Sequence, residues 1–429
     1  STHGETATAA ASSSTSALRI ARRRSVAAAV STITIAGYAA ASDTLSHKQL
    51  AQSMYDEGAV ITADVLLVLH GAPHRARRGL ELRVFRRDFF RYYEHEVFPA
   101  TLAQSMAAHA RRGHADLIAL ACGITMNLTA DFAGVDRPRG DAQETARLLR
   151  LTAIFSEGAT LVHSTRDKEV VRAEVRAALA EFDATFYQSS MTRRRELLAR
   201  FAAGALPEES LPRDVLAVLL RNEDKVELSK DLMMREIAFY LQAGSHSTAN
   251  ATAHAFHDIV TWCAEHPSDA QRIRTDPLFL QRCVHESFRL HPASPVAERR
   301  PVCPVALPSG EQASEADRVR IEMAQANRDR AVFGPDADLF NPHRVLPDGV
   351  PPWGLSFGTG VHSCLGRDLD AGLVAQPDTD PAMHQYGIVP LLVRALIDRN
   401  ARPDPARPPT RSDHTERPNW GLSLIHISE

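Results

Sequence analysis

The sequence predicts a mainly α, multi-helical fold with a small β-sheet. Three observations lead to that class. Between residues 88 and 228 apolar side chains return at helical spacing, in successive stretches separated by short polar breaks. Residues 229–265 then read as one long helix, opened by the capping Ser229 and closed ahead of Pro267. Strand-like runs are short and confined to 299–306 and 319–324, with Gly310 in the turn region between them. At 429 residues the chain suffices for one large domain with a sizeable core.

Taken in order, residues 1–20 are rich in Ser, Thr and Ala, a composition with little to pack. Arg22, Arg23 and Arg24 precede a mild apolar run over 26–41, the outline of a secretory signal. Ser31, Thr32, Thr34 and Gly37 dilute that run, so a cytoplasmic location is expected instead. Residues 1–45 are expected to be a poorly structured or truncated N-terminal segment. Residues 46–57 read as a short helix. Pro73 suits a helix's first turn, and His74 and Arg78, four apart, share one face. Two such donors can clamp carboxylates, although a solvated basic face is the ordinary reading. Arg75, Arg77, Arg83, Arg86, Arg87 and Arg91 extend the positive charge, fitting either solubility or an acidic partner. Helices follow over 89–110, 114–132, 141–161 and 169–201, and Gly134 is a C-cap signal.

The centre of the long helix reads Ala243-Gly244-Ser245-His246-Ser247-Thr248. A mid-helix glycine costs about 1 kcal/mol relative to alanine, so Gly244 should be required, by a flat ligand against the backbone or by a kink. Further on, Glu286 and Arg289 share a helix face, and Phe340-Asn341-Pro342-His343-Arg344 supplies a second arginine. The stretch Phe357-Gly358-Thr359-Gly360-Val361-His362-Ser363-Cys364-Leu365-Gly366 offers one thiol in a glycine-rich loop. A dinucleotide loop would need a glycine where Ser363 stands. A structural zinc site would need four ligands, and only His362 and Cys364 are near. A buried, inert cysteine is the commonplace alternative. A lone thiolate can also hold haem iron. After Gly366 a helix begins over 367–374, Pro377 and Pro381 break it, and another runs over 388–399.

These motifs together resemble the cytochrome P-450 family of haem-thiolate monooxygenases, in its bacterial soluble type. The cysteine loop carries every fixed position of the family's Phe-Gly-x-Gly-x-His/Arg-x-Cys-x-Gly. The resemblance implies haem b with Cys364 as the axial iron ligand, in a loop formed by Phe357, Gly358, His362 and Gly366. It implies propionate contacts from His74, Arg78 and His362, and from Arg299 or Arg300, with Arg299 favoured. Glu286, Arg289 and Arg344 match the family's Glu-x-x-Arg and Pro-x-Arg segments, a buried structural lock. The oxygen-side helix matches in part: Ala243 and Gly244 fit, His246 stands where an acid is expected, and Ser247 and Thr248 follow as the alcohols. The implied domain covers 46–422, with the N-terminal sheet incomplete and 423–429 a tail outside the native fold, its closing strand missing.

The implied activity is insertion of one oxygen atom from dioxygen into a small organic substrate. A separate ferredoxin or flavin reductase would supply the electrons. Alternatives are a peroxide-dependent or rearranging haem-thiolate enzyme, and a non-catalytic haem or ligand-binding protein. A net charge of −3 argues against general nucleic-acid binding. Five cysteines without framework spacing fit a reducing compartment. No apolar run reaches membrane-spanning length. Substrate identity and oligomeric state are left open.

Overall fold

Ser229 opens the longest helix as its sequence position requires: the hydroxyl oxygen accepts from the Leu232 N–H at 3.1 Å, and Lys230–Glu265 follows for 36 residues. The computed structural model describes residues 31–428. Around the central helix lie Leu117–Ala133, Ala142–Ala159 and Pro277–Leu290, capped by the side chains of Asp116, Asp141 and Asp276 respectively. Gly134 ends the first of these with φ +92°, the left-handed C-cap expected of it. Two of the expected helices contain a π-turn: Tyr93–Val97 joins Arg87–Tyr92 to Phe98–Ala110, and Asp183–Tyr187 joins Lys168–Phe182 to Gln188–Ala202. Leu148, Leu151, Phe155, Phe182, Ile237 and Phe256 are fully buried among these helices.

The central helix touches Leu117–Ala133 so closely that a Cβ on Gly244 would sit 2.5 Å from Thr129 Cγ2. The glycine therefore makes room for a neighbouring helix. This packing is a requirement for the glycine that the sequence did not show, and Gly244 also borders the cavity that Cys364 faces.

The main sheet has four strands. Arg318–Ile321 pairs in parallel with Thr32–Ile35 and antiparallel with Ala297–Pro301, which pairs antiparallel with Leu50–Gln52. The expected unstructured segment over 1–45 is thus corrected for 32–45, and residues 1–30 lie outside the described residues. Thr32–Ile35 is a strand, Tyr38–Leu45 is a helix, and Ile35, Tyr38, Ala41 and Leu45 are buried against Val319, Ile321 and Phe333. Residues 46–57 are not a helix: they hold the strand Leu50–Gln52 and the 3-10 turn Asp56–Gly58. The closing segment is likewise part of the fold. Leu424–His426 is the middle strand between His114–Asp116 and Arg402–Pro403, and Ile425 and Ile427 are buried.

After the cysteine loop the helix is only Arg367–Asp370. The chain leaves at Gly372 and returns at Gly387, and the two backbones meet there. A Cβ on Gly372 would lie 2.3 Å from the Tyr386 carbonyl, and one on Gly387 would lie 2.3 Å from the Gly372 nitrogen. Gln281 Nε2 donates to the Ala371 and Tyr386 carbonyls (3.1 and 2.9 Å), and Glu94 accepts from the Tyr386 and Gly387 N–H groups. Helix Ile388–Asp398 then starts. Among the described residues no helix is long and apolar enough to cross a membrane.

Candidate functional site

The cysteine loop is tied at its base by the Cys364 N–H, which donates to the Phe357 carbonyl at 2.8 Å. Phe357 meets Phe288 and Trp353 edge-on, with ring centroids 5.1 and 5.7 Å apart. Gly358 and Gly360 turn the loop with φ +64° and +69°, and a Cβ on Gly360 would lie 2.8 Å from Ser46 Cα. The expected lock is assembled beneath it. Arg289 Nη2 and Nε donate to the two Glu286 carboxylate oxygens at 2.7 and 2.8 Å, and Arg344 Nε reaches the same carboxylate at 3.2 Å. All three side chains are buried, and Arg289 also donates to the Asn327 and Ala337 carbonyls. Asn327 extends the lock towards the loop, bonding the Arg289 carbonyl, Ser356 Oγ and the Leu355 N–H.

Cys364 faces a cavity of about 660 Å³ between the loop and the central helix. Burial, then the Asp370 carboxyl, push its thiol up to about 11, opposed by the Gly366 N–H, Arg78 and Arg367. His74, Arg78, Arg299 and His362 also line the cavity, while Arg300 turns out to pair with Asp56 at 2.7 Å. Arg78 Nη2 donates to the Ser363 carbonyl at 2.6 Å. The His74 and His362 rings lie 4.3 Å apart. Burial, then Arg78, hold His74 down to about 4; burial, then His74 and Arg299, hold His362 down to about 3.

Buried polar groups ordinarily find partners, yet His74 Nε2, His362 Nε2 and Arg299 Nε have none among the described residues. Among the described residues neither Arg78 nor Arg299 forms a salt bridge. Two guanidiniums and two imidazoles converging without an anion match the two carboxylates of a haem, and the thiol facing the same cavity matches its iron. The residues fit that group. A metal cage built from side chains does not compete, since no cluster of three or more His, Cys, Asp or Glu suited to a metal forms among the described residues.

On the oxygen-side helix Ala243, Gly244, His246 and Ser247 border the cavity. Ser247 Oγ donates back to the Ala243 carbonyl at 2.6 Å. Burial, then Arg417, hold the His246 pKa below its ordinary value. Thr248 is turned away: its hydroxyl donates to the Asp370 carboxylate at 3.0 Å.

Sequence reasoning missed several groups here. Asp370 and Arg417 line the cavity and belong to no local pattern. Arg77, read as a solvated or partner-facing arginine, is buried with Glu236 at 2.5 Å because its helix packs that face inward. Beside it the Tyr240 hydroxyl donates to Glu81, whose pKa is raised by burial and then by Glu236.

A family model for cytochrome P450 matches residues 169–370. A self-sufficient cytochrome P450 monooxygenase of Aspergillus terreus is 29% identical over 205 residues, covering 42% of this chain and 19% of that protein. A putative cytochrome P450 of Bacillus subtilis, YjiB, is 29% identical over 177 residues, covering 41% of this chain and 42% of that protein. The chain thus aligns with well under two thirds of these relatives. Among solved structures, CalO2 superposes with a TM-score of 0.69 at 20% identity, covering 92% of this chain and 90% of that one. CYP109B1 of Bacillus subtilis superposes with a TM-score of 0.67 at 17% identity, covering 92% and 93%. Residues 169–370 thus match the cytochrome P450 family model, and the described residues share the fold of solved cytochrome P450 structures.

Proposed function

We propose that this protein is a cytoplasmic haem-thiolate monooxygenase acting on a small organic substrate, with electrons from a separate ferredoxin or flavin reductase. The observation that carries the reading is the Cys364 thiol facing the same cavity as His74, His362 and Arg299, whose Nε2, Nε2 and Nε atoms have no partner among the described residues. Cys364 Sγ would hold the iron of haem b, which when bound would supply the activation of dioxygen and the transfer of one oxygen atom. The chain's own residues do the rest. His74, Arg78, Arg299 and His362 hold the propionates by charge-assisted hydrogen bonds. Glu286, Arg289 and Arg344 hold the segment leading to the loop. Phe85, Leu128, Phe132 and Phe239 give the cavity an apolar wall that excludes water and orients the substrate. His246 passes a proton at its imidazole, and Ser247 joins it once its hydroxyl releases the Ala243 carbonyl.

The reduced, carbon-monoxide-treated protein is expected to show the red-shifted Soret band of thiolate ligation, and Cys364→Ala to lose it. A variant that kept the band would remove Cys364 as the ligand.

One observation favours a second reading, a peroxide-dependent or rearranging enzyme of the same haem-thiolate kind. His246 occupies the acid position and its burial favours the neutral imidazole, leaving less acid in place to deliver protons. His246→Ala assayed both ways separates the two. The monooxygenase reading expects turnover with reductase and dioxygen to fall about 10²-fold while turnover with peroxide survives. Turnover of the parent with peroxide but none with reductase and dioxygen supports the second reading, and no turnover by either route supports a non-catalytic haem protein.

A further inference from the structure

Arg417 sits in the turn between the strands Thr410–Arg411 and Trp420–Leu422, and it enters the cavity beside Thr415 and Asn419. Its Nε is buried with no hydrogen-bond partner among the described residues. Among the described residues its one side-chain hydrogen bond is long, from Nη2 to Ser294 Oγ at 3.4 Å. Among the described residues it forms no salt bridge. The two carboxylates that line the cavity are committed elsewhere. Glu157 holds Arg166 at 2.8 Å and Ser164 Oγ at 2.7 Å, and Asp370 accepts from Thr248. A buried guanidinium stays charged and is costly to leave without an anion. Burial lowers its proton affinity, and only the neighbouring Tyr55 acts in the other direction. Its charge also reaches His246, so the guanidinium lies near the oxygen-side helix.

We propose that Arg417 is a specificity-determining residue that binds the carboxylate of an organic-acid substrate. The planar fork of the guanidinium suits a carboxylate, with Ser294 Oγ beside it as a further donor. The apolar part of the acid lies along Leu67, Phe85, Leu128, Phe132 and Phe239, which line the same cavity. The substrate class is therefore an amphiphilic monocarboxylic acid. This rests on the reading of the cavity as the substrate site, and it adds the substrate's charge and the residue that selects it.

The test uses the haem-loaded protein and matched probes that differ only in charge: laurate against lauryl alcohol, and benzoate against benzyl alcohol. Calorimetry measures binding, and the optical spin-state change is recorded in parallel. The parent is expected to prefer the better-fitting acid over its alcohol by about 10-fold to 100-fold, the range of a charge-assisted hydrogen bond. Arg417→Gln should erase that preference, leave the alcohol's affinity unchanged and retain haem. Arg417→Lys should keep part of it. No acid preference in either pair, or a preference that survives in Arg417→Gln, overturns the proposal. Loss of haem from Arg417→Gln also overturns it, because Arg417 would then serve the cofactor. Calorimetry registers acid binding whether or not the thiolate band and turnover appear, so a failure of the monooxygenase reading is seen separately.

Discussion

Asp370 illustrates how one buried carboxyl can tie charge to stability. Burial pushes its pKa up to about 7, and the Thr248 hydroxyl pulls the other way. A carboxyl whose folded value lies above its unfolded value binds its proton more tightly in the native state. The stability it contributes is present below about 3.8 and is lost as pH rises through about 7. Asp370→Asn keeps the shape and an acceptor for Thr248 without the charge. Its unfolding free energy should exceed the parent's by about 2 kcal/mol above neutrality, less than full linkage because the carboxyl faces the cavity. Below about pH 4 the two proteins should be alike. Denaturant titration at both extremes checks this, and an equal difference at both would remove the ionisation argument. Asp370 and Arg417 were not legible in the sequence. Asp370 acquires its meaning from Thr248, 122 positions away, and Arg417 from Ser294, 123 positions away. His74 and Arg78 were legible because both lie on one face of the helix Gly71–Glu81.

At the scale of elements, contact between two helices decides what Gly244 is for. Gly244→Ala raises intrinsic helix propensity but drives a methyl into Thr129 Cγ2. The variant should lose about 1–3 kcal/mol of stability, the usual cost of overpacking. Thr129→Ser removes the obstructing methyl and keeps a hydroxyl able to bond the Met126 carbonyl, so the double variant should regain most of the loss. A thermodynamic cycle from urea titrations measures the coupling, and strict additivity would count against the contact. Long helices were legible because their period repeats many times, and Ser229 marked the start of the longest. Thr32–Ile35 and Leu424–His426 were not legible. Strands of three or four residues carry little periodicity, and their partners Arg318–Ile321 and His114–Asp116 lie about 290 to 310 positions away.

Across the whole molecule, histidines held out of solvent act on the pH response in the direction opposite to Asp370. His163 is held down to about 4 by burial, then Arg417 and Arg320; His285 is held down to about 4 by burial, against its bond to the Ala371 carbonyl. Both lie below the ordinary value of 6.5, so the unfolded chain binds their protons more readily. Their contribution is complete above 6.5 and is lost as pH falls through about 4, at most ~3 kcal/mol for each. The cofactor-free parent should therefore lose more stability across that acidic window than His285→Gln does. Denaturation midpoints at a series of pH values measure it, and an unchanged slope in the variant would remove His285 from the account.

The meeting of Gly372 and Gly387 has a consequence for how this chain tolerates change in length. Because the backbone closes on itself there, residues 373–386 form a side excursion whose two ends are already fixed in space. Its outer part, including Val374, Asp378, Asp380 and Met383, is exposed, while His384 and Gln385 anchor its return. Lengthening a loop whose ends are fixed adds only ~0.6 kcal/mol per doubling. The tip is thus a natural splice point, where an epitope or a tether could be carried without shifting the thiol a few residues upstream.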